Sequence, residues 1–343
     1  MHESRSKTIL QRSAALALAL LLAVLASVQP VWAAPEEGRR LIPSGQAVGI
    51  KLFADGVLVV SVSDLEGARG SPARDCGLRE GDLLVQIDGQ EIRSTEQLQG
   101  YLQQRRDAPV SLTVQRGDKT WEQETAAVLC DDGVYRLGVW IRDSMAGIGT
   151  LTFYDPDTGL YGALGHGITD VDTHVLMPLG DGSIMETTVR AVKKGRRGEP
   201  GELKGDFSVQ RDVGTVRANT AAGIFGVMSD GGFVPEGEAL PVAGAGEVHT
   251  GPATILATVS GGRTESYQVE IVKLSPQQPD MRNLLLRVTD RRLLETTGGI
   301  VQGMSGSPIV QDGYLVGAVT HVFINDPTQG YGILMENMLA MAG

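Results

Sequence analysis

Most of the chain after Trp121 consists of short, evenly spaced segments with the character of β-strands, and this spacing limits the folds that the chain can adopt. Segments such as YRLGVWIRD, GIGTLTFYD and PATILATVSGG alternate with turn signals such as DPDTG and QDGY. Runs rich in β-branched and aromatic residues, bounded by glycine and proline, are typical of antiparallel strands. Because the runs do not alternate with long helices, a parallel α/β sheet is disfavoured. The pattern predicts an antiparallel barrel or sandwich over residues 121–343.

Residues 45–120 carry a different pattern, in which a hairpin precedes a helix. The segment GDLLVQIDGQEI reads as two strands joined at Asp88–Gly89, which is a strong turn pair. Ser94, followed three residues later by Gln97, has the form of a capping box that begins a helix reaching about Arg106. This order of elements predicts a small α+β domain ahead of the barrel.

The first 34 residues have the pattern of an export signal. Three basic residues precede an apolar run from Ala14 to Val28, and the small residues of VWAAP follow it as a cleavage site. The apolar run is longer than is usual for a signal sequence and shorter than a span of about 20 residues. Its length therefore leaves an uncleaved membrane anchor as the alternative. Residues 35–44, with Pro35, Gly38 and Pro43, are predicted to be a linker. In either case the rest of the chain is expected to be exported.

The overall composition narrows the classes of partner. The net charge of −11 argues against a nucleic-acid partner. A content of 42% hydrophobic and 21% charged residues in 343 residues is enough for about two globular domains. The two cysteines, Cys76 and Cys130, fit no metal-ligand spacing, so the sequence implies no metal and no organic cofactor.

One turn in the C-terminal region, GMSGSP from Gly303 to Pro308, raises the question of catalysis. Glycine, serine and proline are also what a tight turn between two strands requires. A nucleophilic serine needs such a turn as well, because its Oγ must be exposed beside a base and beside backbone N–H groups. Ser305 is the predicted nucleophile and Ser307 is the competing one. The motif does not match G-x-S-x-G, because position 307 is serine.

A nucleophile of this kind needs a histidine and, to orient it, a carboxylate. His166 in GALGHGI is the predicted base, because the flanking glycines leave its ring uncrowded. The other histidines of the globular region are expected to be structural: His174, His249 and His321. The candidate carboxylates are Asp170, Asp172, Asp206 and Asp290.

The first of the two regions resembles PDZ domains. GLREGDLLVQIDGQEI, followed by the STEQLQGYL helix, is similar to the most recognisable stretch of that family. The resemblance implies a groove between the second strand and the helix, in which a peptide binds as an added strand. It places the loop that holds a peptide carboxylate at Val48, Gly49, Ile50 and Lys51, where the family's Gly-Leu-Gly-Phe pattern is partly kept.

The second region resembles the chymotrypsin-like peptidases and, more narrowly, the stage IV sporulation protein B peptidases. The stretch TDRRLLETTGGIVQGMSGSPIVQDGYLVGAVTHVF, with GALGHGI upstream and a PDZ-like domain ahead of both, carries this resemblance. It implies a PDZ domain followed by a chymotrypsin-like antiparallel β-barrel domain. It also implies a triad of His166, Asp290 and Ser305, with an oxyanion hole formed by the backbone N–H groups of Gly303 and Ser305.

The resemblance also implies a biological role. Such a peptidase acts in the space between the forespore membranes, where it cleaves itself and a membrane-associated regulator of an intramembrane metalloprotease, so that a late mother-cell sigma factor becomes active. The expected partners are therefore protein substrates, the chain itself and a peptide in the PDZ groove, with membrane association through the N-terminal segment. The alternatives are a catalytically inactive PDZ scaffold and a quality-control peptidase of the HtrA type.

Overall fold

The computed structural model describes residues 38–65 and 70–342, so the predicted export signal and residues 35–37 of the predicted linker lie outside the described residues. The rest of the predicted linker is not a free connection, because it contains a strand, Arg40–Pro43. Most of the described chain is β-strand. The strands are β1 (Arg40–Pro43), β2 (Ala47–Val62), β3 (Leu83–Ile87), β4 (Gln90–Glu91), β5 (Pro109–Arg116), β6 (Lys119–Ala126), β7 (Val128–Leu129), β8 (Tyr135–Arg136), β9 (Val139–Tyr154), β10 (Leu160–Ala163), β11 (Asp181–Lys193), β12 (Glu202–Thr220), β13 (Gly223–Met228), β14 (Leu240–Pro241), β15 (Gly251–Ala257), β16 (Glu265–Leu274), β17 (Leu284–Val288), β18 (Pro308–Gln311), β19 (Tyr314–Phe323) and β20 (Asp326–Leu334). The helices are α1 (Pro72–Asp75), α2 (Thr95–Arg105), α3 (Arg291–Thr297) and α4 (Met335–Leu339), with a short 3₁₀ helix at Gly231–Phe233.

Two antiparallel barrels form the larger part of the fold. In the first, β2, β9, β10, β13, β12 and β11 pair in that order, and β11 pairs back with β2, which closes the ring. In the second, β15, β16, β17, β20, β19 and β18 form a closed barrel. Closure leaves no unpaired sheet edge along most of each barrel. The predicted chymotrypsin-like β-barrel architecture is therefore confirmed.

A smaller α+β unit extends from the first barrel. Its sheet contains β3, β5 and β6, joined to the C-terminal half of β2 through the pairing of Val57 with Leu84. A core of its own lies beneath α1 and α2 and includes Leu84, Leu98 and Leu112. The unit is thus a separate hydrophobic cluster built on a strand that it shares with the barrel.

Two local predictions for this unit are confirmed. Asp88 and Gly89 both have positive φ, 47° and 76°, as a two-residue hairpin turn requires. Ser94 begins α2, because its side-chain oxygen accepts a hydrogen bond from the Gln97 amide at 3.2 Å. The Gln97 side chain in turn accepts from the Arg93 amide at 2.8 Å. The first bond satisfies a backbone donor that the helix start leaves free, and the second ties the residue before the cap to the first turn.

Within the described residues, no helix is long and apolar enough to cross a membrane. The predicted signal or anchor is not tested by this finding, because residues 1–37 are outside the described part of the chain.

Candidate active site

A cavity of about 820 Å³ lies where the two barrels meet. Leu164, His166 and Gly147 line it from the first barrel, and Gly303, Ser305 and His321 line it from the second barrel or the loop that leads into it. The structure therefore brings the predicted base and the predicted nucleophile, which are far apart in sequence, to one cavity.

Ser305 lies in the loop between α3 and β18. Its Oγ donates a hydrogen bond to the Thr320 carbonyl oxygen at 2.6 Å. The next residue, Gly306, has φ of +97°, and a Cβ there would overlap the Thr150 carbonyl oxygen and the Leu164 amide. The turn that presents the serine therefore requires glycine after it, both for its dihedral angle and for its space.

Ser307, the competing nucleophile, is fully buried. Its Oγ makes no hydrogen bond within the described residues. A hydroxyl that no substrate can reach is not a nucleophile, so the geometry favours Ser305.

His166 follows β10 through two residues in the left-handed region, Leu164 and Gly165, with φ of 70° and 68°. The ring Nδ1 lies 2.8 Å from the Gly167 carbonyl oxygen. A carbonyl only accepts, so Nδ1 carries the proton and Nε2 keeps its lone pair. Burial in the cavity wall lowers the pKa of His166 below its usual value, although the bond to Gly167 partly opposes this. The ring is thus held in the tautomer that a general base needs.

His321 is a residue of the site for which the sequence predicted only a structural role. Its ring centroid lies 4.9 Å from that of His166, at an interplanar angle of 36°. Partial desolvation, the neighbouring His166 and the Arg282 guanidinium lower the pKa of His321 to about 4. The side chain is therefore neutral at neutral pH. The only sign of this role in the sequence was that His321 lies in a predicted strand, YLVGAVTHVF, shortly after the predicted nucleophile.

Asp290 is not brought to His166. It begins α3 as its N-cap, where its carboxylate accepts from the Arg292 amide at 2.8 Å and the Leu293 amide at 3.3 Å. It does not line the cavity. The other nearby candidate, Asp170, pairs with Arg142 and with the Thr173 side chain. Across residues 38–65 and 70–342, no carboxylate is hydrogen-bonded to His166.

The loop between α3 and β18, residues 298–307, is the serine loop, and its backbone carbonyl groups accept hydrogen bonds from the rest of the protein. The Gln302 carbonyl accepts from the Leu203 amide at 2.9 Å, and the Ser305 carbonyl accepts from the Thr150 amide at 2.9 Å. The Thr150 hydroxyl donates to the Gly303 carbonyl at 2.7 Å. In the described part of the chain, the amides of Gly303 and Ser305 donate to no protein acceptor. Two backbone donors of this loop are therefore free near the Ser305 side chain.

The structure places Val48, Gly49, Ile50 and Lys51 differently from the prediction. They lie in β2 inside the first barrel, where Ile50 pairs with Gly147 of β9 on one edge and with Ile184 of β11 on the other. Because both edges of the strand are occupied, no peptide can add there, and these residues do not form a carboxylate-binding loop. The prediction failed because β2 is one long strand whose first half belongs to the barrel.

The face of α2 is covered by a later part of the chain. The Asp143 carboxylate accepts from the Thr95 amide at 2.7 Å, and the Tyr135 carbonyl accepts from the side chains of Gln99 and Gln103 at 3.0 Å each. The strands beside this helix are therefore β8 and β9, which lie after the helix in sequence and not before it.

Comparison with known proteins gives two family matches. A family model described as SpoIVB peptidase S55 matches residues 133–339, more than half of the chain. A PDZ domain model matches residues 65–116. The second match lies within the small α+β unit, so the predicted PDZ domain ahead of a peptidase domain is confirmed.

Similarity to individual proteins is more limited. The metalloprotease MmpA of Caulobacter vibrioides is 32% identical over 69 residues, which are 20% of this chain and 17% of that protein. The chain spans about a fifth of the length of the two curated relatives that it matches. Among solved structures, the PDZ domain of the SdrC-like protein from Listeria monocytogenes is 27% identical, with a TM-score of 0.23 over 26% of this chain and 90% of that one. The active form of the Rv3671c protease from M. tuberculosis is 16% identical, with a TM-score of 0.32 over 59% of this chain and 75% of that one.

Proposed function

The chain belongs to the SpoIVB peptidase S55 family, and from that premise we propose that it is a serine endopeptidase. Ser305 is the nucleophile and His166 is the general base. The observation that carries the proposal is the shared cavity, in which an accessible serine, a neutral histidine and two free backbone amides occur together. These are the parts that acyl transfer from a peptide bond requires.

In the proposed mechanism, Ser305 Oγ leaves its bond to the Thr320 carbonyl and transfers its proton to Nε2 of His166 as it attacks the substrate carbonyl. The free amides of Gly303 and Ser305 would bind the developing oxyanion. His166 then protonates the leaving amine and activates the water that hydrolyses the acyl-enzyme. In the structure the Gly167 carbonyl, and not a carboxylate, holds the imidazole. The triad role of Asp290 rests on the family resemblance alone and stays a prediction.

We also propose the role that the resemblance implies. The peptidase would be exported to the space between the forespore membranes, cleave itself and cleave a membrane-associated regulator, so that an intramembrane metalloprotease activates a late sigma factor. Family membership and the PDZ domain support this role, because a PDZ domain recognises peptide segments of proteins. The sequence of residues 1–34 supports export.

A direct test of the peptidase activity uses the purified full chain and a mixed library of unstructured peptides. We expect cleavage products with the native chain and none with the Ser305→Ala variant, while Ser307→Ala still cleaves. A native chain without products would favour the inactive scaffold. Products that persist in Ser305→Ala would place the nucleophile elsewhere.

A further inference from the structure

A basic loop borders the proposed active site. This loop, residues 194–201, connects β11 to β12 and carries exposed side chains at Lys194, Arg196 and Arg197. Its Pro200 lines the cavity that also contains Ser305. In a chain with a net charge of −11, a cluster of positive side chains beside the cavity favours binding of an anionic partner there.

The loop is held rigidly against the site by backbone hydrogen bonds. The Gly195 amide donates to the Thr297 carbonyl at 2.8 Å, and the Gly198 amide donates to the Ile324 carbonyl at 2.8 Å. The Gln302 amide, one residue before Gly303, donates to the Gly201 carbonyl at 2.9 Å. The position of the cations is therefore fixed relative to the serine loop.

The tip of the loop is a tight turn. The Arg196 amide donates to the Glu199 carbonyl and the Glu199 amide donates to the Arg196 carbonyl, both at 2.9 Å. Gly198 in the turn has φ of +80°. A turn closed by two hydrogen bonds presents Arg196 and Arg197 at a defined place, so less side-chain and backbone freedom is lost when a partner binds.

In the part of the chain that the structure describes, none of the three cations is held in a close ion pair. Glu199 lies near Arg196, but its carboxylate is paired with Lys193 at 2.8 Å. Asp326 lies near Arg197, but its carboxylate is bound by the side chains of Thr328 and Gln329. Among the ion pairs of the described residues, none includes Lys194, Arg196 or Arg197. The hydrogen-bond donors of these three side chains are therefore available to a ligand, although Glu199 and Asp326 partly offset the charge of the two arginines.

From these contacts we propose that the loop is a docking site for an acidic segment of the protein substrate, next to the bond that is cleaved. The inference rests on the proposed peptidase function for its biological meaning, but binding can be measured without catalysis. Guanidinium and ammonium groups form charge-assisted hydrogen bonds with carboxylates. A substrate chain that leaves the cavity past Pro200 would carry its aspartates and glutamates into contact with Arg196 and Arg197.

The test uses the full chain with Ser305→Ala, so that bound peptide is not cleaved. Two fluorescein-labelled glycine-serine peptides, one with four glutamates and one with four glutamines, are titrated and followed by fluorescence anisotropy. The glutamate peptide is expected to bind about tenfold more tightly at low salt, with the difference shrinking as ionic strength rises. The triple variant Lys194→Gln, Arg196→Gln, Arg197→Gln is expected to lose the difference.

A matched triple variant removes the same charge from the PDZ unit: Arg93→Gln, Arg106→Gln and Lys119→Gln. It should keep the preference for the glutamate peptide. Equal binding of the two peptides, or equal loss in both triple variants, would overturn the proposal. Preserved peptide preference in the loop variant, together with lost binding to vesicles of phosphatidylglycerol and phosphatidylcholine, would also overturn it and would point to a membrane. Failure of the peptidase function itself would appear separately, as a native chain that cleaves no peptide.

Discussion

The imidazole rings of His166 and His321 lie with their centroids 4.9 Å apart, on the two barrels that meet at the cavity. No carboxylate in the described residues bonds to the His166 ring, and the ring beside it belongs to another histidine, whose pKa is lowered to about 4. Two rings at this distance resist being charged together. The neighbouring ring therefore contributes to the lowered pKa of His321, whereas burial favours the neutral form of His166, which is the form that accepts a proton.

This arrangement predicts the pH dependence of activity. Burial lowers the pKa of His166 below 6.5, so the neutral base persists below that pH and activity is lost only as the pH falls through the lowered value. The acidic limb of kcat/KM, measured with an uncharged peptide, should have its midpoint below 6.5. The charged groups around the pair are Arg282 and Asp280. His321→Phe should keep the midpoint low, because burial is the main cause; a midpoint above 6.5 in the native chain would contradict this assignment.

Thr150 is predicted to hold in place the loop between α3 and β18, which carries Gly303 and Ser305. It is 1% exposed, and its hydroxyl and amide bind the carbonyls of Gly303 and Ser305. Thr150→Val leaves the Gly303 carbonyl without its donor. The free energy of unfolding should therefore fall by about 1–3 kcal/mol. We expect kcat to fall roughly tenfold to a hundredfold with little change in KM. Thr150→Ser, which keeps the hydroxyl, should restore kcat, and failure to do so would exclude this role.

Gly306 is predicted to be irreplaceable. Gly306→Ala would place a Cβ against the Thr150 carbonyl and the Leu164 amide, both of which are backbone groups. An alanine in the left-handed conformation costs about 1–2 kcal/mol. We expect Gly306→Ala to lower the free energy of unfolding by clearly more than this, because of the clash. Gly313 provides the control, because its φ is +84° and nothing lies within 4 Å of the position that a Cβ would take there. Thermal unfolding of the two variants should differ clearly, and equal melting temperatures would refute the clash.

Asp290 can be tested with a pair of variants. Because asparagine is also a good N-cap, Asp290→Asn should keep the stability of the native chain, whereas Asp290→Ala should lose about 1 kcal/mol. The geometry further predicts that Asp290→Asn cleaves peptides at close to the native rate, since the carboxylate does not contact His166. A loss of kcat of two orders of magnitude or more in a stable Asp290→Asn chain would instead restore the triad role.

Deletion of residues 45–120 is predicted to destroy the first barrel. This segment includes Ala47–Phe53 of β2, which pairs with β9 and β11 on its two edges. The remaining strands would be left with two open edges. Near-ultraviolet circular dichroism should show loss of tertiary structure, and a cooperative thermal transition in the deleted chain would contradict the shared strand.

Local signals predicted the parts of the fold that depend on a few neighbouring residues. The Asp88–Gly89 turn and the Ser94 helix start were found because dihedral preference and capping act over two to four residues. His166 and Ser305 could be chosen because a catalytic serine and histidine carry glycine-rich contexts. The placement of Val48–Lys51 was missed because the sharing of β2 between two units depends on long-range pairing.

Two site features also depend on tertiary structure. The approach of His321 to His166 joins residues of different barrels, and no local pattern records it. The N-cap role of Asp290 was visible in its place before RRLLETT, but the same aspartate also matched the family's triad. Sequence alone could not decide between the two, because an aspartate at that position can serve either role.

The most direct test of the central claim is the site of covalent labelling by a fluorophosphonate probe. The purified full chain is treated with the probe, digested and examined by mass spectrometry, beside Ser305→Ala, Ser307→Ala and His166→Ala. We predict one adduct, on Ser305, that is kept in Ser307→Ala and lost or strongly slowed in the other two. An unlabelled native chain, or an adduct that survives Ser305→Ala, would contradict the claim.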